Sequence, residues 1–399
     1  MIRRLLLALL VLPTVLGAQQ RRDEVRPYPG SFNWQFLGRH NEAARLFNAF
    51  DYGHAILYER LLTMPLEGAK TALARDYDFL VGDLLVKPPR FAIPEEAIEP
   101  TYAKVAWRAK VTFDWAHILH RQIYDAYADP RLTPAARDAL IERITDYYLE
   151  ETRYALPTVP KSMALMDEQP FSQIFRREVP RFNGLIWSYH WLQIGLYEAF
   201  LTDDNRANDA AAVRQVAGRW RAMVQGAPAG YPSVMPMAPA VAPRFTKAHP
   251  RAAAIFDNLH MLHDIISDIL ASPTIPRTGK GAEIQRQLDL MQDPTRDLMG
   301  AEHWWMMGDM MGGVGKMGGV AGGRDAHVAV VIPWWGRVGA QHAAPHEPTR
   351  HRSCPGGAIL VDGQRGAACC APTIYAPNRV IRFPVTSATP SSRRRSSRR

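Results

Sequence analysis

Long stretches with helical periodicity alternate with proline-rich joints over residues 19–323, and almost no segment shows the polar–apolar alternation of a strand. The pattern predicts an all-α fold, a helical bundle of long amphipathic helices. The predicted helices span about residues 39–63, 101–128, 134–154, 181–201, 206–225, 249–271 and 280–311. The proline-rich joints between them, such as Ala227 to Pro243, are long enough to cross the bundle.

The two ends of the chain differ from this helical domain. Residues 1–18 place two arginines before an apolar run and a small-residue stretch, which is the layout of a secretory signal peptide. Residues 324–399 form a low-complexity basic tail without sustained periodicity, and this composition predicts disorder. We therefore expect an exported protein, periplasmic or secreted, with no transmembrane segment after cleavage of the signal peptide and one helical domain at 19–323.

The net positive charge of the chain comes from its two ends, mostly from the tail. The formal net charge is +9, but the tail alone carries twelve arginines against three acidic residues. Arg3 and Arg4 add two further positive charges, which leaves −2 for residues 19–323. A nearly neutral helical domain gives no electrostatic basis for binding nucleic acid. All three cysteines also lie in the tail, so the helical domain is expected to fold without disulfides.

Two of the predicted helices carry the same Asp-x-x-His-x-x-His motif. Its two copies consist of Asp114, His117 and His120, and of Asp257, His260 and His263. Steps of three residues keep the members of each copy within an arc of about 120° on one helix face. Flanking phenylalanines and leucines favour an inward orientation of that face. Carboxylates and imidazoles on one buried face predict a metal site.

Related sequences elsewhere add candidate ligands. Asp51 and His54 repeat the opening of the motif, and His190 lies on an aromatic helix. The tripeptide Leu-Tyr-Glu occurs twice and ends at Glu59 and at Glu198. The separation of the two tripeptides along the chain nearly equals the separation of the two Asp-x-x-His-x-x-His motifs. The near-equal offsets predict an internal duplication of a helical pair.

Read along the chain, Glu59, Asp114-x-x-His117, Glu198 and Asp257-x-x-His260 form a pattern that resembles the ferritin-like di-iron carboxylate bundles. The resemblance covers four short motifs, and both x-x-His pairs have Asp where that family has Glu. It implies a metal centre in the bundle core, and an enzyme with such a centre would be a metal-dependent oxidoreductase. The expected ion is iron, manganese or copper, and the surplus histidines would make the centre richer in nitrogen, which suits copper or a mixed metal better than iron.

Alternatives to this centre stay open. Aspartate and histidine three residues apart can form a buried hydrogen-bond network in a structural or partner-binding helical protein without enzymatic activity. Two imidazoles could instead hold a haem across the bundle. The segment from Met299 to Met311, which also contains His303, offers thioethers that suit copper. The sequence identifies neither a substrate nor a protein partner.

Overall fold

In the computed structural model, which describes residues 30–202 and 208–310, the chain forms fifteen α-helices and no β-strand. The predicted all-α bundle is therefore confirmed. An isolated β-bridge joins Lys161 and Leu298. None of the described helices is both long enough and apolar enough to cross a membrane. The predicted signal peptide and basic tail lie outside the described residues.

The helices are named α1 to α15 in chain order. Their bounds are α1 Gln35–Arg39, α2 Asn41–Thr63, α3 Leu66–Phe79, α4 Pro100–Val105, α5 Trp107–Ala128, α6 Pro134–Glu150, α7 Ala164–Asp167, α8 Ile174–Glu178, α9 Pro180–Ala199, α10 Asp209–Gln225, α11 Ala238–Val241, α12 Pro243–Ala248, α13 Pro250–Ala271, α14 Lys280–Gln292 and α15 Ala301–Met310. A π-helical turn, Leu80–Leu84, extends α3, and 3-10 turns occur at Glu95–Ala97 and Arg277–Gly279.

Two predicted helices are interrupted, and six helices were not predicted: the long helix α3 and the short helices α1, α7, α8, α11 and α12. The predicted helix at 101–128 breaks at Ala106, which separates α4 from α5. The predicted helix at 280–311 ends at Gln292, because Asp293 precedes a proline and is therefore disfavoured in the helical region. Helix α3 was missed although its buried residues, Ala69, Ala72, Leu73 and Tyr77, follow helical spacing.

Four long helices form the centre of the fold. Helices α2 and α5 each contact both α9 and α13. Helix α9 is buried without interruption from Phe182 to Ala199, and α13 from Ala252 to Ala271. A helix that is buried on all sides must place its polar side chains inside the protein, where each needs a partner. The candidate ligands lie on these four helices.

Each of the four long helices follows a short helix, with a single non-helical residue between the two. These break residues are His40, Ala106, Val179 and His249, with φ between −134° and −127° and ψ between 42° and 62°. An acidic side chain on another long helix accepts backbone N–H groups at the start of each short helix. The pairs are Glu59 with α4, Asp125 with α1, Glu198 with α12 and Asp268 with α8. A carboxylate at a helix N-terminus satisfies donors that have no partner within that helix.

The two halves of the described chain contain corresponding elements at constant offsets. Helices α1 and α8 have the same length and are related by one constant offset along the chain. Helices α5 and α13 are related in the same way. One contact recurs at the same length: the Tyr58 hydroxyl donates to the His263 carbonyl at 3.4 Å, and the Tyr197 hydroxyl donates to the His120 carbonyl at 3.4 Å. The constant offsets define matching positions in the two halves, while the duplication itself stays a prediction.

His40, the break residue between α1 and α2, is expected to make stability depend on pH. Its ring is 8 % exposed and packs on Phe200 with a centroid distance of 5.2 Å. Burial, together with Arg39 and Arg214, lowers the pKa of His40 from 6.5 to about 4. The unfolded chain therefore takes up this proton at a higher pH than the folded protein, and stability is lost as pH falls from 6.5 towards 4.

The substitution His40→Gln should remove this contribution. The difference in free energy of unfolding between the wild type and the variant is expected to change by up to about 2 kcal/mol, to the disadvantage of the wild type, when the pH is lowered from 7 to 5. Urea unfolding at the two pH values measures this difference. An identical pH dependence in both proteins would contradict the prediction.

Candidate metal centre

Six histidines from the four long helices lie inside the bundle. They are His54 on α2, His117 and His120 on α5, His190 on α9, and His260 and His263 on α13. Each is at most 5 % exposed, and burial lowers the pKa of every one below its usual value. The six imidazoles are therefore neutral at pH 7, which is the form that binds metal ions.

His54, His190 and His263 form the first ligand group. One ring nitrogen from each lies within 4.8 Å of the others. A point equidistant from three atoms at that separation lies about 2.8 Å from each, compared with about 2.0–2.1 Å for a zinc–imidazole bond. A shift of less than about 1 Å in each ring would therefore complete a three-nitrogen site. Three different helices would be joined by one ion.

The ring nitrogens of this group have few partners. Both nitrogens of His54, Nδ1 of His190 and Nε2 of His263 have no hydrogen-bond partner among the described residues. The remaining contact joins Nδ1 of His263 and Nε2 of His190 at 3.2 Å. Buried polar atoms are normally bonded, and one left without a partner costs about 1–3 kcal/mol. A bound metal ion would use these lone pairs and offset that cost.

His120 and His260 have partners within the protein. Nδ1 of His120 lies 2.6 Å from the Tyr197 hydroxyl, and Nε2 of His260 lies 3.0 Å from Oε1 of Gln193. The ring of His260 also stacks on that of His190 at 4.1 Å. The structure thus places these two predicted ligands beside the first group, where they fix the orientation of their neighbours, and not within it.

Asp114 and Asp257, the aspartates of the two motifs, belong to no group of three potential metal ligands among the described residues. Oδ1 of Asp257 accepts the Ala238 N–H at 2.8 Å, and Oδ2 accepts Nε1 of Trp304 at 2.7 Å. Asp114 forms an ion pair with Lys110 at 2.5 Å. Both aspartates thus have other partners, and their assignment as metal ligands stays a prediction. The motif spans an arc of about 120°, so its first residue faces a different neighbour from its last.

Glu59 and Glu198 are also predicted ligands that serve another role. Oε2 of Glu59 accepts the N–H groups of Thr101 and Tyr102 at the start of α4. Glu198 accepts the corresponding groups at the start of α12 and pairs with Arg244 at 3.2 Å. Both carboxylates cap helices, and neither belongs to a ligand group among the described residues.

The remaining candidates, Asp51 and His117, form a second group with Glu95, a residue that the sequence did not single out. Glu95 begins a 3-10 turn in the joint before α4. No periodic pattern includes a joint residue, so no signal in the sequence could identify it.

Aromatic rings occupy the space between the histidines. The ring of Phe50 lies 4.1 Å from that of His54, 5.4 Å from His117 and 5.8 Å from His190. The ring of Phe256 stacks on His120 at 3.6 Å. These rings are closely packed against one another, and the haem alternative stays a prediction.

The methionine-rich segment is partly exposed to solvent. Its α15 docks through Trp304 on Asp257, while Met306 and Met310 are 36 % and 67 % exposed. His303 belongs to neither ligand group among the described residues, and Met311 lies outside them.

No protein-family profile, curated protein or solved structure matches this chain. The resemblance to ferritin-like bundles therefore rests on the four motifs alone. Two of the ligands that it implies, Glu59 and Glu198, are helix caps in the structure. The resemblance is not confirmed.

Proposed function

We propose that this protein binds one transition-metal ion between His54, His190 and His263. The observation that carries the proposal is the convergence of neutral, buried ring nitrogens from α2, α9 and α13 within 4.8 Å, most of them without another partner. Three imidazoles suit copper, iron or zinc and suit manganese less well. Of the ions expected from the sequence, copper and iron therefore fit this group best.

The ligands of this group are buried away from solvent. His54, His190 and His263 are 2 %, 0 % and 1 % exposed. Metal sites that stabilise a fold usually have four protein ligands, whereas catalytic sites have three and keep the fourth position open to water or substrate. The three imidazoles match the second number, but their burial separates the fourth position from solvent. We infer that the first role of the ion is to join three core helices. Oxidative chemistry at the same ion would need a path from solvent to an open position.

Elemental analysis by mass spectrometry tests the proposal. The purified full chain is stripped of metal, incubated separately with copper, iron or zinc, and desalted. The double variant His54→Ala/His263→Ala is expected to hold one ion fewer per chain than the wild type. The control is His249→Ala, which also removes a buried imidazole, 2 % exposed, from outside both ligand groups.

Equal metal content in the wild type and a folded double variant would contradict the proposal. The histidines would then form a hydrogen-bond network, which the contacts of His120 with Tyr197 and of His260 with Gln193 already begin. Circular dichroism establishes that each variant is folded before its metal content is compared.

A further inference from the structure

Asp51, Glu95 and His117 form a second buried group beside the three-histidine group. They lie on α2, on the 3-10 turn before α4 and on α5, and one ligand atom from each lies within 4.8 Å of the others. Their exposed fractions are 5 %, 6 % and 5 %. The ring of His117 lies 5.7 Å from that of His263, so the two groups are neighbours.

Each member of this second group has a polar atom without a protein partner. These atoms are Oδ1 of Asp51, Oε1 of Glu95 and Nε2 of His117, and none has a hydrogen-bond partner among the described residues. The other carboxylate oxygen of Asp51 accepts from Arg121 at 3.0 Å. Two carboxylate oxygens and one imidazole nitrogen are thus held close together with their lone pairs unused.

The acidic side chains around the group have few cationic partners. Glu99, 1 % exposed, lies nearby and has an unpartnered oxygen, and burial raises the pKa of both Glu95 and Glu99 well above the usual range. The neighbouring cation Lys110 already pairs with Glu96 at 2.6 Å and with Asp114 at 2.5 Å. Buried carboxylates are costly unless they are paired or bind a metal ion.

The fold itself does not require these acids. Glu95 and Glu99 lie before α4 and α5. The offset that relates α5 to α13 also relates α4 to α12, so the positions that match Glu95 and Glu99 lie before α12 and α13. Those matching positions hold Ala238 and Ala242, both buried. Since the second half adopts this arrangement with alanine, the carboxylates of the first half have a role other than folding.

We propose that Asp51, Glu95 and His117 bind a second divalent cation, of the harder class to which Mn²⁺ belongs. Carboxylate oxygens suit manganese, and a single imidazole is compatible with it. The ligand set differs from the all-nitrogen set of the first site, so the two sites select different ions. The second site shares no ligand with the first and does not depend on it.

Titration of the metal-stripped full chain with Mn²⁺, with free Mn²⁺ followed by electron paramagnetic resonance, tests this site. The wild type is expected to bind one Mn²⁺ per chain. The Glu95→Ala variant is expected to bind Mn²⁺ at least about tenfold more weakly, because one ligand is lost. The variant Asp51→Asn, which keeps an acceptor for Arg121, is expected to show a similar loss. The double variant His54→Ala/His263→Ala should retain the Mn²⁺.

Glu95→Ala introduces the residue found at the matching position of the second half, so its metal-free form is expected to melt no lower than the metal-free wild type. No Mn²⁺ binding by the wild type, or equal binding by wild type and Glu95→Ala, would overturn the proposal. Loss of Mn²⁺ from the histidine double variant but not from Glu95→Ala would assign the ion to the first site instead.

Discussion

A chelator is expected to lower the midpoint of thermal unfolding of the metal-loaded protein by about 5–10 °C. An ion that binds the folded state alone, present at about 100 times its dissociation constant, adds about 2.7 kcal/mol of stability. For a domain of this size, about 1 kcal/mol corresponds to about 2–4 °C. Differential scanning calorimetry of the copper- or zinc-loaded protein, with and without chelator, measures the shift.

The double variant His190→Ala/His263→Ala should melt at the same temperature with and without chelator. It removes two of the three ligands of the first group, so no ion remains there to be withdrawn. His249→Ala, which removes a buried imidazole elsewhere, should keep the full shift. A shift of equal size in the double variant would show that the stabilising ion is bound at other residues.

Replacement of Asp125 by alanine is expected to lower the free energy of unfolding by about 2–4 kcal/mol, because each buried donor left without a partner costs about 1–3 kcal/mol. The carboxylate is 1 % exposed. It accepts the N–H groups of Trp34 at 3.0 Å and Phe36 at 2.9 Å and the hydroxyl of Ser31 at 3.0 Å. The truncation therefore removes three contacts between α5 and the segment that begins α1.

Glu67→Ala is the control for Asp125→Ala. The Glu67 side chain is 81 % exposed and pairs with Lys70 on the surface, so its loss should cost less than about 1 kcal/mol. Urea unfolding of the wild type and both variants gives the comparison. Similar small losses in the two variants would mean that Asp125 does not hold the start of α1 in place.

The helical periodicity of the sequence predicted most of the long helices to within a few residues, because burial on a helix repeats with its turn. Helix α13, for example, was predicted at 249–271 and spans Pro250–Ala271. The same reasoning predicted that the aspartates and histidines of both motifs face the interior. This is correct for Asp257 and the four histidines, whereas the Asp114 side chain is 36 % exposed. The contact partners of these buried side chains were not predictable, because they depend on the rotation of each helix relative to its neighbours.

His117 and His260 show this difference. Both occupy the middle of an Asp-x-x-His-x-x-His motif, yet His117 joins Asp51 and Glu95, whereas His260 bonds to Gln193. The residues across from them differ between the halves, and long-range pairing of that kind leaves no trace in local periodicity. The capping roles of Glu59 and Glu198 were missed for the same reason, because their partners lie on other helices, far from them along the chain.

The depth of the three-histidine group also determines how an ion could be exchanged. With no ligand more than 2 % exposed, an ion can enter or leave only when the core helices separate. The rate of exchange would then follow the opening of the fold, and affinity would have little influence on it. An ion captured while the chain folds would be retained afterwards. The supply of metals in the compartment where folding occurs, more than the intrinsic preference of three imidazoles, would decide which element the mature protein carries.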